Sequence, residues 1–409
     1  MKILFVLHQF MPEYASGTET VTYRLAKAAQ RSGHSVIVLT CSMHESASWR
    51  GITPEGLRWT SVNGVPVYAI PEALVSDPYG FTPEVHAEPA YALRQFIARH
   101  NVDVCHIVHL FRMISVALVM RELNIPYVVT LTDFFTICHR INYILPSGEQ
   151  CHGSLRGYHC ELDCNIPEKS DTIRQAFLRD LLEGAAVRVT CSNFIRDIFV
   201  REFPNIGIRV MAHGTDFLKF SKKIYNGDSD EMVFGYLGTV SKEKGVDVLL
   251  RAFIHANVPG TKLVIAGPAY GNIEIEDSVK RASENDRRII LRGPVPASEV
   301  PDVLAEFDVL CIPSNWPETF CLVLHEGFAA GLPAIVSDLG HPPEVVGSLG
   351  CGLVAKAGDV RAWSDAIENT AKQRKQLQLW QEKIPTLTRI EEEAFFYELL
   401  YRNAINFLE

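Results

Sequence analysis

The strongest constraint on the fold is an alternation of short apolar runs with amphipathic helical segments, which begins at the amino terminus and recurs along the chain. Residues 3–7 are all apolar, as expected of a parallel strand that is buried on both faces. A loop containing Gly17 follows, then a helical pattern over 19–31 and an apolar run over 35–40. Strand, loop, helix and strand in this order predict a βαβ unit and therefore a parallel sheet covered by helices.

This alternation occurs in two series, which are separated by a polar and turn-rich segment. The first series ends with a strand over 208–213, and the second begins at Met232. We therefore predict an α/β protein with two Rossmann-like domains, residues 1–216 and 232–388, joined by a linker over 217–231.

Two helical segments show a clear apolar stripe. A helix over 172–184 is predicted to face inward through a stripe that includes Ile173 and Phe177. The final segment, 389–409, is predicted to be a helix that packs back on the N-terminal domain. Its stripe consists of Phe395, Phe396, Leu399, Leu400 and Ile405.

Composition and charge restrict the function classes. Lys and Arg total 39 and Asp and Glu total 48, so the net charge is −9, which argues against a nucleic-acid-binding protein. The apolar run at the amino terminus is too short for a signal peptide, and no run approaches the length that spans a bilayer. We expect a cytoplasmic protein with reduced thiols. The alternative location is the inner face of the membrane. The sequence does not indicate an oligomeric state.

A long irregular segment between residues 131 and 171 interrupts the first series and contains four cysteines. Cys138, Cys151, Cys160 and Cys164 are separated by 12, 8 and 3 residues, and four thiolates suit a tetrahedral structural zinc. The alternatives are free buried thiols or occasional disulfides. The segment follows a strand that should border the substrate site, so we expect it to be functional.

The most informative run extends from Pro313 to Pro333. A strand ends at Pro313, a loop carries Glu318, and a helix begins near Phe320, where unpaired backbone N–H groups favour an anion such as a diphosphate. Glu326 follows eight residues after Glu318, and two carboxylates near a phosphate site suit a nucleotide sugar. Two surface acids near a helix start are the alternative reading of the same residues.

The whole run resembles the Glu-x7-Glu signature of the GT4 family of glycosyltransferases. Several shorter segments, in order and at suitable spacing, resemble other motifs of that family: 16–19, 33–36, 103–109, 212–216, 244–247, 337–340 and 343–346. The resemblance implies the GT-B fold, in which two Rossmann-like domains face each other across a central cleft. It also implies a retaining transferase that needs no catalytic metal.

Residue roles follow from the same resemblance. Glu326 is expected to bind the ribose of the donor nucleotide, Glu318 the transferred sugar, and Lys244 the diphosphate. The remaining donor contacts are expected from Gly17 near the phosphate, from the backbone of Thr319, Phe320 and Cys321, and from Gly293 and Val295 near the base.

The chain departs from the family pattern at three positions. Thr239 replaces an arginine, Thr132 replaces a histidine of a His-Asp pair, and Cys321 replaces a glycine. His109 is therefore a candidate to take over part of the missing histidine's work, and Asp133 is a candidate to orient the acceptor or, equally, to cap a turn.

The predicted function is transfer of a sugar from a nucleotide-diphosphate donor to a hydroxyl of a glycan, a glycolipid or another acceptor. The alternative is a catalytically weak sugar-nucleotide-binding or scaffold protein of the same fold, which the substitutions at 132 and 239 motivate. An Asp-x-Asp pattern at Asp228 and Asp230 falls in the polar linker and is read as solvated, without a metal.

Overall fold

The structure is a computed structural model that describes residues 1–44, 48–71, 87–225, 231–270 and 273–406. The chain divides into two compact units, one formed by Met1–Gly214 with the final helix from Ile390, the other by Thr215–Arg389. The division lies between Gly214 and Thr215, and residues 217–225 of the predicted linker belong to the second unit. Asp228 and Asp230 lie outside the described residues.

The first unit is built on a mixed sheet. In the described part of the chain its strands are β1 (Lys2–Val6), β2 (Ser35–Ser42), β3 (Gly51–Ile52), β4 (Arg58–Val62), β5 (Val65–Pro71), β6 (Val104–Ile107), β7 (Tyr127–Leu131), β8 (Val187–Thr190) and β9 (Arg209–Val210). Their order is β3-β4-β5-β2-β1-β6-β7-β8-β9, and only the β3–β4 and β4–β5 pairs are antiparallel. The strand order reverses between β1 and β6, which makes their carboxyl ends the expected place for a ligand.

Helices connect these strands. They are α1 (Gly17–Arg31), α2 (Ala87–His100), α3 (Ile114–Glu122), α4 (Tyr158–Cys164), α5 (Glu168–Glu183) and α6 (Asn193–Glu202). Helix α1 begins with a capping box, because Ser16 and Glu19 bond reciprocally at its first turn. Helix α5 begins four residues before the predicted helix, and Ile173 is 52% exposed, so its predicted inward position is wrong. The inward face of α5 also carries polar residues, among them Asp171 and Arg174, which shifts the buried stripe away from Ile173.

The second unit has an all-parallel sheet. Its strands are β10 (Met232–Leu237), β11 (Thr261–Ala266), β12 (Ile289–Gly293), β13 (Val309–Ile312), β14 (Ala334–Ser337) and β15 (Gly352–Ala355). Their order is β12-β11-β10-β13-β14-β15, with the reversal between β10 and β13. This is the dinucleotide-fold order, so the loops after β10 and β13 border the expected ligand site.

The helices of the second unit follow the same alternation. They are α7 (Val246–Ala256), α8 (Ile273–Asn285), α9 (Val300–Ala305), α10 (Leu322–Ala329), α11 (His341–Leu349), α12 (Val360–Lys372) and α13 (Lys375–Gln381), with a short 3-10 turn at Phe217–Lys219 before β10. Large apolar clusters cover both faces of the sheet, with Phe234 and Trp363 in one and Phe307 and Phe328 in the other. Burial on both faces explains why these strands are almost wholly apolar in sequence.

The final helix, α14 (Ile390–Asn406), contacts α1 and the strands β6 and β7 of the first unit. The predicted stripe is partly wrong, because Phe395 and Leu399 are 61% and 45% exposed. The buried face instead includes Tyr397, Leu400 and Tyr401. Both tyrosine hydroxyls are hydrogen-bonded, which makes their burial favourable although a purely apolar pattern does not reveal it. Among the helices described, none is both long and apolar enough to cross a membrane.

Candidate active site

In the second unit, the candidate donor site lies at the carboxyl ends of β10 and β13. Lys244 stands in the loop after β10, and Glu318 stands in the loop after β13. The Nζ of Lys244 is 2.7 Å from the Oε1 of Glu318. The two residues are 74 positions apart in sequence, and the reversal of strand order brings them together.

Glu318 is the centre of this cluster. Its Oε1 also accepts hydrogen bonds from the Ser314 hydroxyl at 2.7 Å and from the Trp316 indole N–H at 2.9 Å. The ammonium group of Lys244 lies 4.5 Å from the centroid of the Trp316 ring, where a cation is attracted to the aromatic face. The side chains of Lys244 and Glu318 are 27% and 13% exposed, so the pair is partly shielded but reachable from solvent.

These contacts fix the charge of Glu318. Burial alone would raise the pKa of its carboxyl, but the charge of Lys244 and the hydrogen bonds from Lys244, Trp316 and Ser314 outweigh burial and lower the pKa. Glu318 is therefore ionised at neutral pH. Only one of its oxygens receives these three bonds, and a carboxylate with such a partner set suits recognition of hydroxyl groups.

Backbone contacts hold the two loops together. Gly245 has φ of +68°, and a Cβ at this position would lie 1.9 Å from the carbonyl oxygen of Pro313. Asn315 adds two bonds, from its backbone N–H to Glu243 and from its side chain to the carbonyl of Lys242. The Lys-Gly motif thus places Lys244 beside Glu318 because glycine permits close packing of the loops.

A third loop approaches Glu318 from β14. Gly340 has φ of +82°, and an added Cβ would lie 2.4 Å from both the N and the O of Glu318. The backbone N–H of His341 donates to the carbonyl of Glu318 at 2.8 Å. The predicted motif at 337–340 therefore supports the backbone of Glu318.

Helix α10 begins at Leu322, directly after Cys321. Cys321 has φ of +67°, a left-handed conformation that favours glycine, which is the residue the family resemblance places there. Phe320 is buried and stacks on His325, with 3.9 Å between ring centroids. Glu326, on the same helix, is half-buried and near enough to Cys321 for its charge to act on that thiol. Thr319 lies between Glu318 and Phe320 and is half-buried.

The predicted base-binding residues lie at the edge of the same sheet. Gly293 ends β12, has φ of +78°, and its carbonyl accepts a bond from Gly267. Val295 is half-buried against an apolar cluster of the unit. Arg292, which could have compensated for the arginine missing at position 239, instead pairs with Glu306 at 2.7 Å.

In the first unit, His109 and Asp133 form a pair at the carboxyl ends of β6 and β7. The Nδ1 of His109 accepts a hydrogen bond from the backbone N–H of Phe111 at 3.0 Å, so the Nε2 carries the proton and donates it to Asp133. The other oxygen of Asp133 accepts from the N–H of Phe135 at 3.0 Å. Asp133 thus caps a turn and also orients a histidine.

His8 is a member of this cluster that the sequence analysis did not select. Its ring lies 4.1 Å from that of His109, and its Nδ1 is buried without a hydrogen-bond partner. Burial is the main cause that holds the pKa of His8 well below its usual value, and the positive charge of Arg112 acts in the same direction, so His8 is neutral. His8 follows β1 as His109 follows β6, and neighbouring positions after adjacent strands were the signal that could have identified it.

Two other sets of predicted residues have different surroundings. Gly17 is the exposed first residue of α1 and belongs to the first unit, whereas the other predicted donor residues belong to the second. All four loop cysteines are half-buried thiols and line one pocket in the first unit. As the side chains lie, no group of three or more His, Cys, Asp or Glu residues in the described ranges is arranged to hold a metal ion.

The fold and the two clusters define a class of α/β protein with two Rossmann-like units, each with polar side chains at the reversal point of its sheet. The family described as glycosyl transferases group 1 matches residues 219–386, and the family described as glycosyl transferase 4-like domain matches residues 16–213. The chain belongs to the GT4 family of group 1 glycosyltransferases.

Curated relatives are similar over part of the chain only. The D-inositol 3-phosphate glycosyltransferase of Mycolicibacterium smegmatis is 26% identical over 168 residues, which is 40% of this chain and 38% of that protein. The enzyme of the same name from Mycobacterium tuberculosis is 27% identical over 144 residues, 34% of this chain and 29% of the relative. The matched segments therefore span well under half of the relatives' length.

Solved structures are similar over the whole chain. Sucrose-phosphate synthase from Thermosynechococcus elongatus matches with a TM-score of 0.71 at 17% identity, and the match covers 99% of each of the two chains. HepE from Anabaena in complex with UDP has a TM-score of 0.68 at 14% identity, with 98% of this chain and 99% of HepE covered. These similarities establish the GT-B fold predicted from the sequence.

Proposed function

We propose that this chain is a retaining glycosyltransferase that moves a sugar from a nucleoside-diphosphate donor to an acceptor hydroxyl. The observation that carries the proposal is the Lys244–Glu318 pair, held by Ser314 and Trp316 at the reversal point of the second sheet. A cation, a carboxylate and a helix start at one place match the diphosphate, sugar and ribose of such a donor.

The pairing of Lys244 with Glu318 sets the expected order of events at the donor. A diphosphate carries more negative charge than one carboxylate, so donor binding draws Lys244 from Glu318 toward the phosphates. Glu318 keeps its bonds from Ser314 and Trp316 and is then available to sugar hydroxyls. Glu326 binds the ribose hydroxyls, Thr319, Phe320 and Cys321 contribute backbone groups, and Gly293 and Val295 contact the base. The family resemblance also assigns Gly17 to the donor phosphate.

The proposed reaction has no enzymic nucleophile. The acceptor oxygen bonds to the anomeric carbon on the face from which the diphosphate departs, the bond to the diphosphate oxygen breaks, and that oxygen takes the proton of the acceptor hydroxyl. Charge on the leaving group grows as the bond breaks, so Lys244 stabilises the transition state more than the bound donor.

His109 and Asp133 are proposed to position the acceptor hydroxyl. Asp133 fixes the tautomer and orientation of His109, and the half-exposed carboxylate remains accessible to a substrate group. We further propose that the acceptor is a glycan or a glycolipid, and that the reaction belongs to polysaccharide or glycolipid assembly. The transfer takes place at the inner face of the membrane. The relatives named for D-inositol 3-phosphate leave a small phosphorylated polyol as the competing acceptor class.

Hydrolysis and transfer with a panel of UDP-, GDP- and ADP-sugars, each with and without glycan, glycolipid and inositol-phosphate acceptors, tests the proposal. We expect one donor to be consumed in an acceptor-dependent manner, with the anomeric configuration of the product retained by nuclear magnetic resonance. Nucleotide binding without transfer to any acceptor would favour the scaffold protein. An inverted product would contradict the proposed mechanism.

A variant pair separates enzyme from contaminant. Lys244→Ala should lose the transfer activity, while Lys372→Ala, which removes an exposed lysine paired with Glu368 in the same unit, should keep it. Equal activity in both variants would show that the measured transfer does not come from the proposed site.

A further inference from the structure

Four cysteines that are far apart in sequence line a single pocket of the first unit. Cys138 and Cys151 come from the irregular chain after β7, and Cys160 and Cys164 come from α4, one helical turn apart. The pocket does not include His109 or Asp133, so the thiols are a separate feature from the acceptor-side cluster.

All four thiols are half-buried, and they line this pocket together with apolar side chains such as Ile137, Ile144 and Ile166. Four cysteines spaced along an irregular segment therefore share one partly enclosed space.

A backbone N–H group points at one of the sulfur atoms. The N–H of Gly153 donates to the Sγ of Cys151 at 3.4 Å. Gly153 has φ of +114°, a backbone conformation that favours glycine. N–H bonds to sulfur stabilise a thiolate, and such outer contacts orient the ligands of metal sites.

A buried cation lies beside the same thiols. Arg174 is 3% exposed, and its Nε and Nη1 have no hydrogen-bond partner, although its Nη2 bonds the carbonyl of Phe135. Among the charged groups, the carboxylate of Asp171 on the same helix acts most on the pKa of Arg174, ahead of Cys138, Asp133 and Cys160. A buried guanidinium with unused donors is nevertheless costly, and the Asp171 carboxylate leaves its Nε and Nη1 without bonds. Four thiolates around a divalent ion would supply a net charge of about −2.

We propose that Cys138, Cys151, Cys160 and Cys164 bind one Zn²⁺ in a tetrahedral tetrathiolate site. The thiols turn toward the centre of the pocket and release their protons as the metal binds, with Zn–S distances of about 2.3 Å. Arg174 offsets the charge of the site. The first part of the segment is anchored by the buried side chains of Phe134, Phe135, Ile137 and Tyr143, and the metal joins Cys151 and α4 to that part.

The proposed site also bears on the acceptor-side cluster. Cys138 lies five residues after Asp133, and its backbone N–H donates to Phe134 at 2.8 Å, while Phe134 donates to Ile141 at 3.3 Å. Arg174 holds the carbonyl of Phe135 in the same turn. The zinc therefore positions the turn that carries Asp133, without touching the substrate itself.

The test uses the full chain, stripped of metal under reducing conditions and titrated with Zn²⁺ or Co²⁺. We expect elemental analysis to give about one Zn²⁺ per chain, and Co²⁺ to give the visible absorption of a tetrahedral thiolate site. Cys160→Ser/Cys164→Ser should bind less than a tenth as much. The matched control is Cys41→Ala/Cys351→Ala, which removes two buried cysteines from outside the pocket and should bind as the unaltered chain does.

The readouts distinguish this proposal from the proposed function. If the double serine variant does not fold, Cys164→Ser replaces it, and a changed cobalt spectrum with weaker binding is expected. Loss of zinc should raise the acceptor KM and leave nucleotide affinity unchanged, whereas failure of the donor assignment would not alter the zinc content. A reconstituted, folded chain with ten titratable thiols and no bound metal would overturn the proposal, as would a disulfide among the four cysteines or iron in place of zinc.

Discussion

At the scale of single residues, the candidate donor site depends on backbone contacts that only glycine permits. Gly245 brings the loop of Lys244 against Pro313, and Gly340 brings a third loop against Glu318. Each glycine does two things at once, since it adopts a positive φ and leaves no Cβ in a contact shorter than van der Waals distance. The side-chain geometry of the site is therefore a consequence of backbone packing.

Gly245→Ala tests this view against a matched substitution. Both Gly245 and Gly350 have positive φ, +68° and +64°, but a Cβ at Gly350 would meet only the flexible end of Lys383 at 3.4 Å. Alanine is strained in the left-handed backbone conformation, so each variant should have a free energy of unfolding about 1–2 kcal/mol lower than that of the unaltered chain. Gly245→Ala should lower the free energy of unfolding further and should also weaken nucleotide binding. Equal losses in denaturant unfolding would show that the Pro313 contact is unimportant.

Glu326→Ala addresses the ribose contact. A hydrogen bond to a charged group contributes about 1.5–3 kcal/mol, so nucleotide affinity should fall by that amount in calorimetry with the cognate nucleotide. Glu368→Ala serves as the control and should leave affinity unchanged, because Glu368 is a half-buried helix residue of the same unit that pairs with Lys372. A folded Glu326→Ala variant with normal affinity would refute the ribose assignment.

Asp133→Asn addresses the acceptor-side pair. The amide preserves the shape of the side chain but removes the charge that orients the Nε2–H of His109. Turnover should therefore fall about 100-fold, which is the lower end of the range contributed by a positioned acid–base group. Nucleotide affinity should not change. Asp180→Asn, at an exposed pair with Arg121, is the control. If turnover survived in steady-state kinetics, Asp133 would be a turn cap only.

At the scale of elements, the final helix α14 is attached to the first unit by a row of buried polar contacts. Glu393 accepts bonds from the Nδ1 of His213 at 2.9 Å and from the N–H of Gly214 at 2.7 Å. Further along, Tyr397 contacts Thr130 and Tyr401 contacts His106. A buried carboxylate with two donors is favourable, but it becomes costly if a partner is removed.

This attachment should depend on pH. Burial would lower the pKa of His213, but bonds to Cys191 and Glu393 and their charges raise it to about 10. A raised histidine pKa adds stability that is complete below the usual value of 6.5 and is lost as the pH rises through about 10. The melting temperature should therefore fall between pH 7 and 10.

Glu393→Gln should weaken that dependence because the raised pKa of His213 needs the carboxylate. The variant should lose about 1.5–3 kcal/mol at pH 7 and show a flatter profile above it. Tyr397 and Tyr401 do not titrate in this range, since burial holds the pKa of each well above its usual value. Parallel slopes for variant and unaltered chain would contradict the assignment.

At the scale of the whole molecule, the order of elements was predictable from sequence because parallel strands buried on both faces are almost continuously apolar. The polar segment over 217–231 was read as a separate linker, but its described residues belong to the second unit, which begins at Thr215. The buried stripe of α14 was not predictable from the sequence. Hydrogen-bonded tyrosines and a buried glutamate occupy the face that an apolar pattern would assign to leucine and phenylalanine.

Motif resemblance selected Lys244 and Glu318, and the structure brings these two residues into contact. Nothing in the sequence indicates that Lys244 bonds Glu318 or that Trp316 donates to the same oxygen. Such contacts depend on three loops that meet only after the sheet forms. His8 was missed for the same reason, since its neighbours come from β6 and not from its own segment.

The proposed action of Lys244 on the departing diphosphate is tested most directly by the kinetics of Lys244→Ala beside those of Lys372→Ala. We expect turnover of Lys244→Ala to fall by a much larger factor than nucleotide affinity, because the attraction of the lysine grows toward the transition state. We also expect the acid limb of the pH–rate profile to move to higher pH, since Glu318 loses the cation that lowers its pKa. A rise in the donor KM with unchanged turnover and an unmoved acid limb would contradict this role of Lys244.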